Sequence, residues 1–98
     1  MPRPAAEATT LVDDDRVRVT RFDFAPGAET AWHTHGLDYV IVALTHCQMT
    51  LEEPGGETRS VIVRAGESYS RKAGVEHNVI NGGAGPMAFV EIELKQGA

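Results

Sequence analysis

The run Pro26-Gly27-Ala28-Glu29-Thr30-Ala31-Trp32-His33-Thr34-His35 sets two histidines two residues apart, directly after a Pro-Gly turn signal. Its Thr and Trp content argues against a helix and for an extended segment, predicted over Thr30 to His35 and broken by Gly36. On a strand successive side chains alternate faces, so His33 and His35 project from the same side. If that side faces the interior of a sheet structure, the two imidazoles converge on one point. A third histidine, His77, lies in a second glycine-punctuated stretch about forty residues further on. Three converging imidazoles in a small, otherwise apolar β-protein would make a metal site.

The flanking sequence is read for whether it can build the pocket that such a site needs. Residues 1 to 8 are Pro- and Ala-rich without periodicity and are expected to form a loose arm ahead of a single domain over 9 to 98. Thr9 to Val12 is a short strand ended by the turn-forming Asp13-Asp14-Asp15, which lacks the further oxygen ligands of a calcium loop. From Arg16 to Phe24, Val17 and Val19 share one face while Phe22 and Phe24 appear on the other. That change of phase suggests a β-bulge, or a strand bending between sheets. Asp38 to Leu44 is a buried strand of nearly continuous apolar character. Cys47 to Glu52 and Glu57 to Val63 flank a hairpin turn at Glu53-Pro54-Gly55-Gly56. Ser68 to Arg71, His77 to Ile80 and Met87 to Leu94 complete the set, the last with Met87 and Phe89 on its core side. About nine short strands separated by regular turn signals, with no helical period, predict an all-β sandwich or barrel.

The totals narrow the function. A chain of 98 residues has room for one core, and subunit pairing would help to cover its apolar surface. The formal net charge of −5 supplies no basic stripe, which argues against nucleic acid as a partner. One cysteine cannot form an intrachain disulfide and fits a reducing, cytoplasmic setting. The N-terminus has no apolar signal-peptide core, and the longest apolar run, Tyr39 to Leu44, is too short to span a membrane.

The two histidine stretches resemble the two motifs of the cupin superfamily. Gly27, His33 and His35 fall at the glycine and His-x-His places of the first. Gly66, Gly74, His77 and Asn81 match the spacing of the second, with Lys72 where that motif has proline. The resemblance implies a double-stranded β-helix, or jelly-roll barrel, with a divalent transition metal held by histidines. More narrowly, Ala25 to Val42 and Tyr69 to Asn81 resemble small bacterial single-domain cupins often labelled as β-alanine degradation proteins. Two positions depart from the family pattern. Its acidic ligand is replaced by Tyr39, or by Val40 on the alternative spacing, and its closing glycine by His46. Asp38 is one place early and is expected to point to the opposite face.

Neutral imidazole suits iron, zinc, nickel, copper and manganese ions alike. Three histidines without a carboxylate leave the ion's charge uncompensated and favour a small anionic ligand. The resemblance implies a dioxygenase, or a metal-dependent lyase or isomerase, with His33, His35 and His77 as ligands; the small size of the chain adds the expectation of a homodimer. Tyr39 is the candidate catalytic residue, as a hydrogen-bond donor to an oxygen at the site; its other reading is a core tyrosine. Arg71 is a candidate for binding a carboxylate, or for a salt bridge at the rim. Asn81 is expected to cap backbone groups, His46 to sit in an exposed turn, and Trp32 to pack on the face away from the histidines. A second carboxylate at pocket depth would favour an enzyme, and aliphatic walls alone a non-catalytic ligand-binding or sensing module.

Overall fold

Alternating polar and apolar side chains are carried into nine strands, seen in a computed structural model that describes residues 2–95. They are β1 (Glu7–Asp13), β2 (Val17–Phe24), β3 (His33–Thr34), β4 (Asp38–Ala43) and β5 (Cys47–Glu53), then β6 (Glu57–Val63), β7 (Ser68–Arg71), β8 (Glu76–Asn81) and β9 (Met87–Leu94). A single 3-10 turn, Pro54–Gly56, joins β5 to β6. The strands form two antiparallel sheets, ordered β1-β2-β9-β4-β7 and β3-β8-β5-β6. Their inner faces pack together as a jelly roll, Tyr39, Ile41 and Phe89 from one sheet against Met49, Leu51 and Val79 from the other. The rings of Phe22, Phe24 and Phe89 stack along that core with centroids 5.3–6.5 Å apart.

Three expectations are corrected by the strand register. The segment read as a loose arm is paired: Ala6 N donates to Glu29 O at 2.8 Å and Glu29 N to Pro4 O at 2.9 Å. The first strand accordingly starts at Glu7, two residues early, because β2 offers it a free edge from Asp23 onward. The bulge expected near Thr20 is absent, since β2 runs in unbroken register against β9 from Val17 to Phe24. The irregularity lies instead in β1, between Thr10 and Val12. With β2 regular, its inward side is Arg18, Thr20, Phe22 and Phe24, and the first two of these are polar. They turn inward because Glu93 and Glu91 of β9 stand opposite them.

The third correction concerns the histidine segment. Only His33 and Thr34 form a regular strand there, and Ala31 takes a left-handed conformation at φ 71°. Beyond Thr34 the ladder is continued by two hydrogen bonds of 2.8 Å, His35 N to Val75 O and Gly74 N to His35 O. Gly74, at φ 101°, allows the chain to turn back into β8 at that spot.

Candidate metal centre

Strand pairing brings the third histidine to the other two. His33 of β3 lies directly opposite His77 of β8, a position from which cross-strand side chains touch. His35 projects from the same side as His33. The three rings meet edge to face, with centroids 4.6–5.0 Å apart. Nε2 of His35 lies 2.9 Å from Nε2 of His33 and 3.0 Å from Nε2 of His77. Metal–nitrogen bonds of about 2.0–2.1 Å meeting near a right angle would hold two ligand atoms about 3 Å apart, and the ligand atoms of all three histidines lie within 4.8 Å of one another. The three side chains therefore offer a donor set that fits a divalent transition ion.

Protonation supports the same fit. His33 Nδ1 lies 2.8 Å from the carbonyl of Ala31 and donates to it, which leaves a bare lone pair on Nε2. The residue that supplies that carbonyl, Ala31, has a left-handed backbone, a strained conformation for a non-glycine residue. Burial, then the neighbouring His33, lowers His35 to about 4. Burial, then His33 and His35, lowers His77 to about 3. Both rings are thus neutral at physiological pH, the state in which imidazole binds metal. His77 Nδ1 is buried and lacks a hydrogen-bond partner among the described residues, an omission that costs about 1–3 kcal/mol.

The histidines open onto a cavity of about 280 Å³ between the two sheets. The inner face of the facing sheet is set in rows by register. Arg18, Glu93, Tyr39 and Arg71 run side by side across β2, β9, β4 and β7. Below them come Thr20, Glu91, Ile41 and Tyr69, and below those Phe22, Phe89 and Ala43. Arg18 Nε donates to Glu93 Oε1 at 2.7 Å. Tyr39 stacks on His35 with centroids 3.9 Å apart and an interplanar angle of 23°. Its hydroxyl is buried without a partner among the described residues, and burial raises it to about 12, so it stays a protonated donor.

Glu91 and Glu93 are the site residues that sequence reasoning overlooked. Their signal was available: Phe89, Glu91 and Glu93 occupy alternate positions, so the face that buries Phe89 must also receive both carboxylates. Arg71 lines surface hollows at the rim and does not line the triad cavity. Asn81 caps backbone, donating from Nδ2 to the carbonyls of Phe24, Ala25 and Gly85 and accepting from Gly83 N. Asp38 accepts from Ala73 N, away from the triad, while His46 and Trp32 are exposed. Cys47 is buried and burial pushes its thiol up, which leaves it an unreactive core residue.

Comparison with known proteins bears on this geometry. Residues 20–93 match the model of the cupin domain family. The chain belongs to the cupin family. Among curated proteins this cupin is 54% identical over 93 residues to the β-alanine degradation protein BauB of Pseudomonas aeruginosa, covering 95% of this chain and 97% of that one. Among solved structures, a cupin domain from Bordetella pertussis Tohama I superposes with a TM-score of 0.92 at 47% identity, over 97% of this cupin and 98% of that chain. The polyketide cyclase RemF of Streptomyces resistomycificus shares the fold at a TM-score of 0.72 and 25% identity, over 96% and 70% of the two chains.

Proposed function

We propose that this cupin is a metalloenzyme that binds a divalent transition metal through His33, His35 and His77 and acts on a small anionic metabolite. The observation that carries the reading is the convergence of three imidazoles on a cavity whose far wall holds two buried carboxylates, Glu91 and Glu93. We favour an enzyme over a passive binding or sensing module because the cavity sets titratable acids beside the proposed metal ligands. Iron, zinc, nickel and manganese all suit the donors. The ion would supply a Lewis-acidic centre for the ligand's anionic group. Tyr39 would donate its hydroxyl proton in a hydrogen bond to a ligand oxygen beside His35, and the two sheets would exclude water. The reaction class we favour is dioxygenase-like, ahead of a lyase or isomerase.

BauB is named for β-alanine degradation, and identity over nearly the whole length of both chains supports a place for this protein in the catabolism of β-alanine or a related carboxylate. No described helix is long and apolar enough to cross a membrane. We place the protein in the cytoplasm, where the thiol of Cys47 would remain reduced. We also infer a homodimer. The outward side of the larger sheet carries the apolar rows Val19–Ile92–Val40 and Val90–Val42, and Val12 and Leu94 beside them are exposed. A second copy of the same face would cover them.

Elemental analysis of protein purified without a histidine tag or chelator, alongside His33→Ala, tests the metal. Near-stoichiometric metal, lost in His33→Ala with the fold intact, is the expected result. Metal retained in the variant, or none taken up by the wild type on reconstitution, would overturn the reading. Oxygen consumption with small carboxylates then separates the dioxygenase from the lyase or isomerase.

A further inference from the structure

Glu91 stands out within the cavity. It is 9% exposed, lines the same space as the three histidines, and makes no hydrogen bond or ion pair among the described residues. Arg18, the cation on the neighbouring strand, is committed to Glu93 at 2.7 Å in the row above. Below Glu91 lie the apolar side chains of Phe22 and Phe89. Its carboxylate is left facing the cavity, where a ligand bearing a cation could pair with it. Burial, then the charge of Glu93, pushes Glu91 up to about 7, which is the expected condition of an acid awaiting a cation.

We propose that Glu91 forms an ammonium-binding subsite, so that the ligand is a short amino acid lying with its carboxylate toward the three histidines and its amine on Glu91. This deepens the proposed function and rests on it for the anionic end alone. The amine end rests on the geometry of Glu91. A cavity of about 280 Å³ lies at the small end of ligand pockets and suits a small metabolite. Glu93 and Arg18, closer to the rim, would pair with each other and leave Glu91 to discriminate. The inner sheet wall thus selects for a bipolar ligand, and a simple carboxylate of equal length would leave Glu91 unpaired.

Three probes test the two ends separately: β-alanine, propionate and n-propylamine. Binding is followed by calorimetry and by chemical-shift titration at about pH 8, where Glu91 would be ionised. Wild type, Glu91→Gln and His33→Ala are compared, with the folded state of each checked by its spectrum. Wild type is expected to bind β-alanine at least about 10-fold more tightly than propionate, the usual reach of a charge-assisted hydrogen bond. Glu91→Gln should bring the two ligands within about 2-fold of each other. Propylamine should bind wild type and His33→Ala equally, and fail to bind Glu91→Gln. Equal affinity for β-alanine and propionate in the wild type, or a preference that survives in Glu91→Gln, would overturn the subsite. Failure of propylamine to bind the wild type would do the same. Propylamine binding that needs Glu91, without any binding of propionate, would support the subsite while overturning the assignment of the anionic end to the metal.

Discussion

At the scale of single residues, the site is a set of side chains whose burial is opposed by their own solvation. Glu91 has a folded pKa of about 7 against an ordinary 4.5, so the folded state keeps its proton over that interval. The stability it contributes is present below about pH 4.5 and is lost as pH rises through about 7. Glu91→Gln keeps the shape and removes the titration. Its melting temperature relative to wild type should therefore rise between pH 5 and pH 8 in metal-free protein, on the order of 2 kcal/mol in stability. A constant difference across that range would show that Glu91 is not desolvated. His35 and His77 work in the opposite sense. Their pKa values, about 4 and about 3, lie below the ordinary 6.5, so their contribution is complete above pH 6.5 and is lost as pH falls through 4 and 3. Metal-free protein should lose stability on acidification over that window, and a His35→Gln, His77→Gln double variant should show a shallower decline in the same melts. An identical decline would assign the acid sensitivity to other groups.

At the scale of elements, the histidines depend on turns that lie outside the site. Asn81, at the end of β8, joins three chain segments by donating to Phe24 O, Ala25 O and Gly85 O at 2.9–3.3 Å. It also accepts from Gly83 N at 3.0 Å. The residue is 2% exposed, so truncation would strand several buried backbone groups. Asn81→Ala should cost about 2–4 kcal/mol in urea unfolding, by loss of a connected buried network. A cost below about 1 kcal/mol would mean that water satisfies those groups unaided. Much of this level was legible in the sequence. The spacing of Gly66, Gly74, His77 and Asn81 placed β8 and its flanking turns, and the bounds of β6, β7 and β9 follow from turn residues on either side. The length of β3 was not legible. Ala31 has no local preference for positive φ, and the conformation it adopts goes with a contact between its carbonyl and His33 Nδ1 that only the folded chain shows.

At the scale of the whole molecule, the outward rows of Val19, Ile92, Val40, Val90 and Val42 form an apolar face on the larger sheet. Placing a charge in its middle, Ile92→Glu, should convert a dimer to a monomer in light scattering while the triad still takes up metal. A wild type that is already monomeric at micromolar concentration would refute the dimer, and an Ile92→Glu variant that stays dimeric would move its interface elsewhere. The side chain at 92 points away from the cavity, so binding at the site should change little.

The sequence by itself determined the all-β class, most strand positions and the shared face of His33 and His35, because these follow from local turn chemistry and the two-residue period of a strand, whereas His77 joins them through the pairing of β3 with β8. It also showed that Tyr39 stands where an acid would be expected. The tertiary structure alone decided what faces the triad. Glu91 and Glu93 share the alternation of Phe89, yet the charged alternation of most antiparallel strands is the solvated one, so the local pattern points both ways. Here the assignment is reversed, with Val90, Ile92 and Leu94 outward and the two glutamates inward. That choice is settled by register, which pairs Glu93 with Arg18 and Tyr39, and Glu91 with Thr20 and Ile41. Register depends on the whole sheet, because a one-residue slip would move every side chain of β9 to the opposite face.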